Sequence, residues 1–116
     1  MTERFLERGD IVFVDFGERG PGEVSFRRPA IVVTNNFAST YAPVITVVPI
    51  TSQGLDRVYP MQLFLPQAQT GLARDSKAQI ELIGHIHKNR ILRLDGKLDP
   101  ILLEALDIRI REHLAI

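Results

Sequence analysis

Apolar positions along the chain fall into short β-branched runs separated by turn-forming residues, and only near the end do they take up helical spacing. Gly9-Asp10 opens a first run, Ile11-Val12-Phe13-Val14-Asp15-Phe16, apolar on both faces except at Asp15, as expected of a central strand. Pro29 to Thr34 forms a second strand, ending in the turn-tolerant pair Asn35-Asn36, and Phe37 to Pro43 is a connection. Val44 to Ile50 is a third strand. Pro49, which has no amide hydrogen, predicts an edge or a bulge there. Met61 to Leu65 is a fourth strand closed by Pro66, and Lys77 to Ile83 a period-two fifth with Lys77, Gln79 and Glu81 on its polar side. Ile91-Leu92-Arg93-Leu94 with the turn Asp95-Gly96 is a last short strand or hairpin.

The pattern then changes period. Asp99 is placed to cap a helix and Pro100 to occupy its first position. Leu103, Leu106, Ile110 and Leu114 form one apolar stripe, with Arg109, Glu112 and His113 able to stay wet. Ile101, Leu102 and Ile108 lie outside that stripe and predict a second contact surface, such as a dimer interface. The fold expected is mainly β with a C-terminal helix, a small and strongly curved antiparallel barrel formed as one domain over residues 1–116.

Composition narrows the chemistry. The 116 residues contain no cysteine, which excludes disulfides, thiolate metal sites and cysteine nucleophiles. No apolar run is long enough for a membrane span, and the charged start is unlike a secretory signal, so a cytoplasmic location is expected. Fourteen basic and fourteen acidic residues balance, which argues against a dedicated duplex-DNA binder and leaves only a local basic groove for nucleic acid. His85 and His87 project to one side of an extended segment, but with only His113 and scattered carboxylates besides, no metal site and no cofactor are expected.

Two strand ends carry the candidate chemistry. Arg27 and Arg28 precede the second strand, and Thr51, Ser52 and Gln53 follow the third. If the strands are antiparallel neighbours these groups meet at one end of a sheet, where an arginine, a hydroxyl and an amide suit a phosphodiester. Charges at strand ends are also simply where the chain reaches water. Between the first two strands, Gly17 to Ser25 holds three glycines and a proline and reads as a surface loop, either a lid over Arg28 or a plain hairpin connection.

Arg8-Gly9-Asp10-Ile11-Val12-Phe13-Val14-Asp15-Phe16, the Gly-rich loop, Arg28-Pro29-Ala30-Ile31-Val32-Val33 and Val48-Pro49-Ile50-Thr51-Ser52-Gln53 in that order resemble the MazF/PemK (Kid) toxins of bacterial toxin–antitoxin modules. Arg74-Asp75-Ser76 and Lys88-Asn89-Arg90 extend the likeness over nearly the whole chain, while Leu82 to His87 departs from the family pattern. The resemblance implies a CcdB-like, SH3-like barrel, a homodimer, and sequence-specific, metal-independent cleavage of single-stranded RNA, held in check by a cognate MazE-like antitoxin. It assigns catalysis to Arg28 and Thr51, with Glu23 in the first loop as a proton acceptor. Arg28 would hold the phosphoryl oxygens, Thr51 would keep the phosphate in line, and the 2′-hydroxyl would attack to leave a 2′,3′-cyclic phosphate. Asn36, Ser52, Gln53, Lys77 and Gln79 are readers of bases or contacts to phosphate, and Phe16 is a stacking platform or a core residue. Arg74 and Asp75 contact RNA or pair with each other. The rival class is a non-catalytic CcdB-like toxin or binding module that acts through protein contacts alone.

Overall fold

The structure, a computed structural model, describes residues 6–18 and 25–116. Seven strands form one antiparallel sheet: β1 (Asp10–Glu18), β2 (Ser25–Val32), β3 (Val44–Thr51), β4 (Gln62–Leu65), β5 (Ser76–Gln79), β6 (Gly84–His87) and β7 (Ile91–Lys97). Their order is β4-β5-β3-β2-β1-β7, and β6 also pairs with β3. Two short helices, α1 (Asn36–Tyr41) and α2 (Gln67–Thr70), lie in connections, and α3 (Pro100–Leu114) ends the chain.

The β1–β2 register sorts the side chains. Ile11 pairs with Ile31, Phe13 with Pro29 and Asp15 with Arg27 on one face, while Val12 pairs with Ala30 and Val14 with Arg28 on the other. Each face carries its own core. On the first, Ile11, Ile31, Val48 and Ile50 meet Leu63, Leu65 and Ala78 of the β4–β5 hairpin and Leu106 and Ile110 of α3. On the second, Val12, Val14, Ala30, Val32, Ile45, Val47 and Ile86 gather with Leu6, Phe16 and Ile91. Apolar residues on both sides therefore mark the central strands, as the unbroken runs require. Between β6 and β7 stands only the 3-10 turn Lys88–Arg90, so the sheet curls over its second face. No β6–β7 ladder closes it among the described residues, and the expected barrel is thus a strongly curved, incompletely closed sheet.

Five expectations change. Strand β2 runs from Ser25 to Val32, not from Pro29 to Thr34, and β3 includes Thr51, so Arg27, Arg28 and Thr51 stand within strands rather than beside them. The segment expected as one strand over 77–83 is broken after Gln79 by the 3-10 turn Ile80–Leu82, because β5 serves one end of β3 and β6 the other. The connection after β2 contains α1, capped by the Asn35 side chain accepting from the Ala38 amide at 2.8 Å. Asp95-Gly96 is strand, with Gly96 opposite Ile11; a Cβ there would lie 3.0 Å from the Thr70 carbonyl oxygen, so this glycine serves close approach rather than a turn. Finally, Leu114 is exposed while Leu102, Leu103 and Ala105 pack on the core, which shifts the buried stripe of α3 toward its start. The predicted cap of α3 is present: the Asp99 carboxylate accepts from the Leu102 amide at 2.8 Å, followed by Pro100.

Arg8 ties the start of the chain to this helix through a two-pronged pair with Asp107, at 3.0 and 2.7 Å, while its Nε donates to the Val33 carbonyl. Leu106 is wholly buried and Ile101 is 80% exposed on the same helix. Leu106→Ala is expected to cost about 2–5 kcal/mol of unfolding free energy in urea denaturation, and Ile101→Ala less than about 0.5 kcal/mol.

Candidate functional site

Ala30 on β2 lies opposite Pro49 on β3, and continuing that antiparallel register by two residues brings Arg28 opposite Thr51. Thr51 in turn lies opposite Lys77 on β5, so Gln79, two residues on, shares their side of the sheet. Arg28, Thr51, Lys77 and Gln79 therefore stand on the second face, at the end of the sheet beyond the Val12–Val32 core.

The arginine is held in place. Its Cζ lies 4.0 Å from the centroid of the Phe26 ring, and its Nη1 donates to Gln79 Oε1 at 2.9 Å. Phe26 in turn tilts against Phe16, with centroids 6.0 Å apart. Stacking on one side and an amide on the other fix the plane of the guanidinium, which limits the ordering cost of presenting it to an anion. Phe26 is absent from the expected site. The signal was its place two residues before Arg28 on a strand, which puts both on one face. Phe16 packs with the second-face core and also completes this aromatic pair.

At the end of β3, Thr51 Oγ1 accepts from the Gln53 amide at 3.2 Å. Lys77 is buried, and its Nζ donates to the carbonyls of Gly54 and Arg57, each at 2.8 Å. Gln53 is exposed beside them. Arg90, at the end of the 3-10 turn, brings its guanidinium to 3.4 Å from where a Cβ on Gly17 would sit, so a further cation stands over the end of β1.

The other expected residues lie elsewhere. Ser52 and Arg74 line a cleft of about 530 Å³ with Phe13, Pro29, Ile50 and Arg93, on the opposite face from Arg28. Arg93 lies 4.1 Å from the Phe13 centroid and pairs with Asp95 at 2.7 Å. Asp75 accepts from the Gln67 amide at 2.8 Å, at the start of α2, and no ion pair joins it to Arg74 among the described residues. Asn36 is beyond the far end of β2, where its Oδ1 accepts from the Arg8 amide at 2.7 Å. Arg27 is on the first face, 3.6 Å from Asp15. Glu23 and most of its loop fall outside the described residues. Among the described residues no three histidines or carboxylates converge as metal ligands, and His87 Nδ1 instead accepts from the Asn89 amide.

A family model described as PemK-like, MazF-like toxin of type II toxin–antitoxin systems matches residues 7–114. The chain belongs to this toxin family. The endoribonuclease MazF9 of Mycobacterium tuberculosis is 40% identical over 114 residues, covering 94% of this chain and 96% of that protein. The endoribonuclease EndoA of Bacillus subtilis is 27% identical over 111 residues and 96% of each. Two solved structures of the family share the fold. A MazE–MazF complex from Deinococcus radiodurans superposes with a TM-score of 0.78 at 17% identity, over 97% of this chain and 99% of that one. A mycobacterial endoribonuclease in complex with its cognate antitoxin superposes at 0.76 and 15% identity, over 97% and 96%.

The Arg28 clamp is checked directly. Gln79→Leu removes an acceptor from the guanidinium while keeping similar bulk, and is expected to shift stability by less than about 1.5 kcal/mol. The Arg28 Nε–H signal in 15N relaxation should become more mobile; an unchanged order parameter would show that Gln79 does not restrain it.

Proposed function

We propose that this toxin is an endoribonuclease that cleaves single-stranded RNA at preferred sequences without a metal ion, leaving a 2′,3′-cyclic phosphate. The observation that carries the reading is the held guanidinium of Arg28, stacked on Phe26 and bonded to Gln79, in register with the Thr51 hydroxyl. The names of the relatives, which are endoribonucleases, support it over a purely adhesive role.

Arg28 meets the two non-bridging oxygens of the scissile phosphate and stabilises the charge that grows on them during attack. A permanently charged fork does this at any physiological pH. Thr51 donates to the same phosphate and holds it in line with the attacking 2′-hydroxyl. Glu23 takes the 2′-proton, a role that rests on the family resemblance. The P–O5′ bond then breaks as O5′ takes a proton from solvent, and the cyclic phosphate and a 5′-hydroxyl leave. Phe16, Gln53 and Gln79 line the approach on the Arg28 side for base stacking and edge contacts. Ser52, Arg74 and Asp75 remain proposed contacts for flanking nucleotides, reached only by a strand that passes around the end of the sheet, and Asn36, beyond the opposite end of β2, remains a proposed contact for nucleotides farther from the cut.

The partners proposed are a MazE-like antitoxin and a second copy of this chain, in the cytoplasm. One of the superposed structures holds an endoribonuclease with its cognate antitoxin, and another is a MazE–MazF complex. Ile101 and Ile108 on the outer side of α3 offer an apolar surface for self-association. No helix among the described residues is long and apolar enough to cross a membrane.

Purified protein is expected to cut an RNA oligonucleotide library in excess EDTA, with fragments ending in cyclic phosphate. Arg28→Ala should retain its fold and lose at least about a hundredfold in cleavage rate. Cleavage that vanishes with EDTA would overturn the metal-free mechanism, and wild-type protein that cuts nothing at low salt would sink the reading in favour of a non-catalytic toxin.

A further inference from the structure

Lys77 lies on a strand face that the period-two pattern marks as wet, in alternation with Gln79 and Glu81, yet only 5% of the residue is exposed. An ammonium withdrawn from water loses hydration that hydrogen bonds must replace. Two of them are supplied by the carbonyls of Gly54 and Arg57, both at 2.8 Å, and the Tyr59 ring centroid lies 6.0 Å away. These carbonyls bracket a tight turn, in which the Arg57 amide donates to Gly54 O at 3.3 Å. Gly54 has φ +67°, and a Cβ on it would come within 3.4 Å of Nζ. Glycine thus supplies both the left-handed conformation and room beside the ammonium.

The turn is tethered to the proposed reacting end of β3. Thr51 is the residue directly opposite Lys77, and its Oγ1 accepts from the Gln53 amide at the root of the same loop. One lysine therefore fixes both the strand that carries Thr51 and the loop whose amide orients the Thr51 hydroxyl.

We infer that Lys77 is a positioning residue, an internal strut that ties the 52–57 loop to β5 and so sets the rotamer of Thr51, with its charge spent on backbone rather than on RNA. The catalytic half of the inference rests on the ribonuclease reading; the structural half does not. A phosphate contact at this position would serve affinity and be satisfied by arginine. A strut needs a compact ammonium that can reach two converging carbonyls, which the broad guanidinium does not reproduce.

Lys77→Met keeps the length of the stem and leaves both carbonyls unbonded. Hydrogen exchange of the 52–57 amides in Lys77→Met is expected to quicken at least about tenfold while β1 and β2 amides keep their protection. Cleavage by Lys77→Met and Lys77→Arg should lose kcat by about ten- to a hundredfold with KM little changed. The salt dependence of binding to an oligonucleotide with a 2′-deoxy cleavage site should keep its slope, whereas a lost phosphate contact lowers it by about 0.7. Should Lys77→Met fail to fold, Gly54→Ala approaches the same contact from the loop and is expected to give the same kcat loss with the same slope. An unchanged loop exchange rate, a lowered salt slope, or full kcat in Lys77→Arg overturns the strut. Wild-type protein without cleavage would refute the ribonuclease reading, and loop exchange in Lys77→Met would still decide the structural half.

Discussion

Strand β3 has to satisfy three partners along two edges. One edge is given to β2; the other is divided, with β6 taking Val44–Val47 and β5 taking Ile50–Thr51. Pro49 falls in the gap between those two ladders, where neither β6 nor β5 lies opposite it, so its missing amide hydrogen costs the second edge nothing. The division is what brings β5 up to the Arg28 end of the sheet. A β3 paired to one strand over its whole length would leave Arg28 without Gln79 and Thr51 without Lys77.

Both faces of the central strands are consumed by packing, and this decides where chemistry is possible. α3 and the β4–β5 hairpin close one face, and the curl of the sheet closes the other. Polar side chains can then gather only where strands run past their cores. Arg28 stands two residues beyond Ala30, and Thr51 two beyond Pro49, each the first polar group on its face. A rigid floor beneath them restricts how far a stacked guanidinium and a threonine hydroxyl can drift.

Much of this was legible in the sequence. Alternation and turn residues located β1 to β4 and the start of α3, because those signals are local: an unbroken apolar run, a capping aspartate, a proline after it. The neighbourhood of Arg28 and Thr51 was legible for a different reason, since two consecutive buried strands commonly pair. What escaped detection depended on distant chain. The break after Gln79 exists because β3 needs two partners, which nothing between Lys77 and Ile83 announces. Lys77 was read as wet because period two reports a side, not what covers it, and the cover is the turn at Gly54–Arg57. Gly96 was read as a turn because glycine's other use, admitting the Thr70 carbonyl, leaves no local trace. The residues proposed for RNA contact divided between two faces for the same reason: Ser52 and Arg74 are near Thr51 and Lys77 in the chain, but they lie just outside β3 and β5, where they line the cleft with Phe13 and Pro29.

The Arg8–Asp107 pair joins positions 99 residues apart. Contacts of such separation form late, because the loop they close costs entropy before any packing repays it. During synthesis the first-face core, with Ile11, Ile31, Val48 and Ile50 at its centre, stays open until α3 has left the ribosome and folded down. The helix is therefore a seal set after the sheet has been made. A chain cut short before Leu106 would expose this core, and protein quality control would meet a sticky fragment in place of a finished toxin.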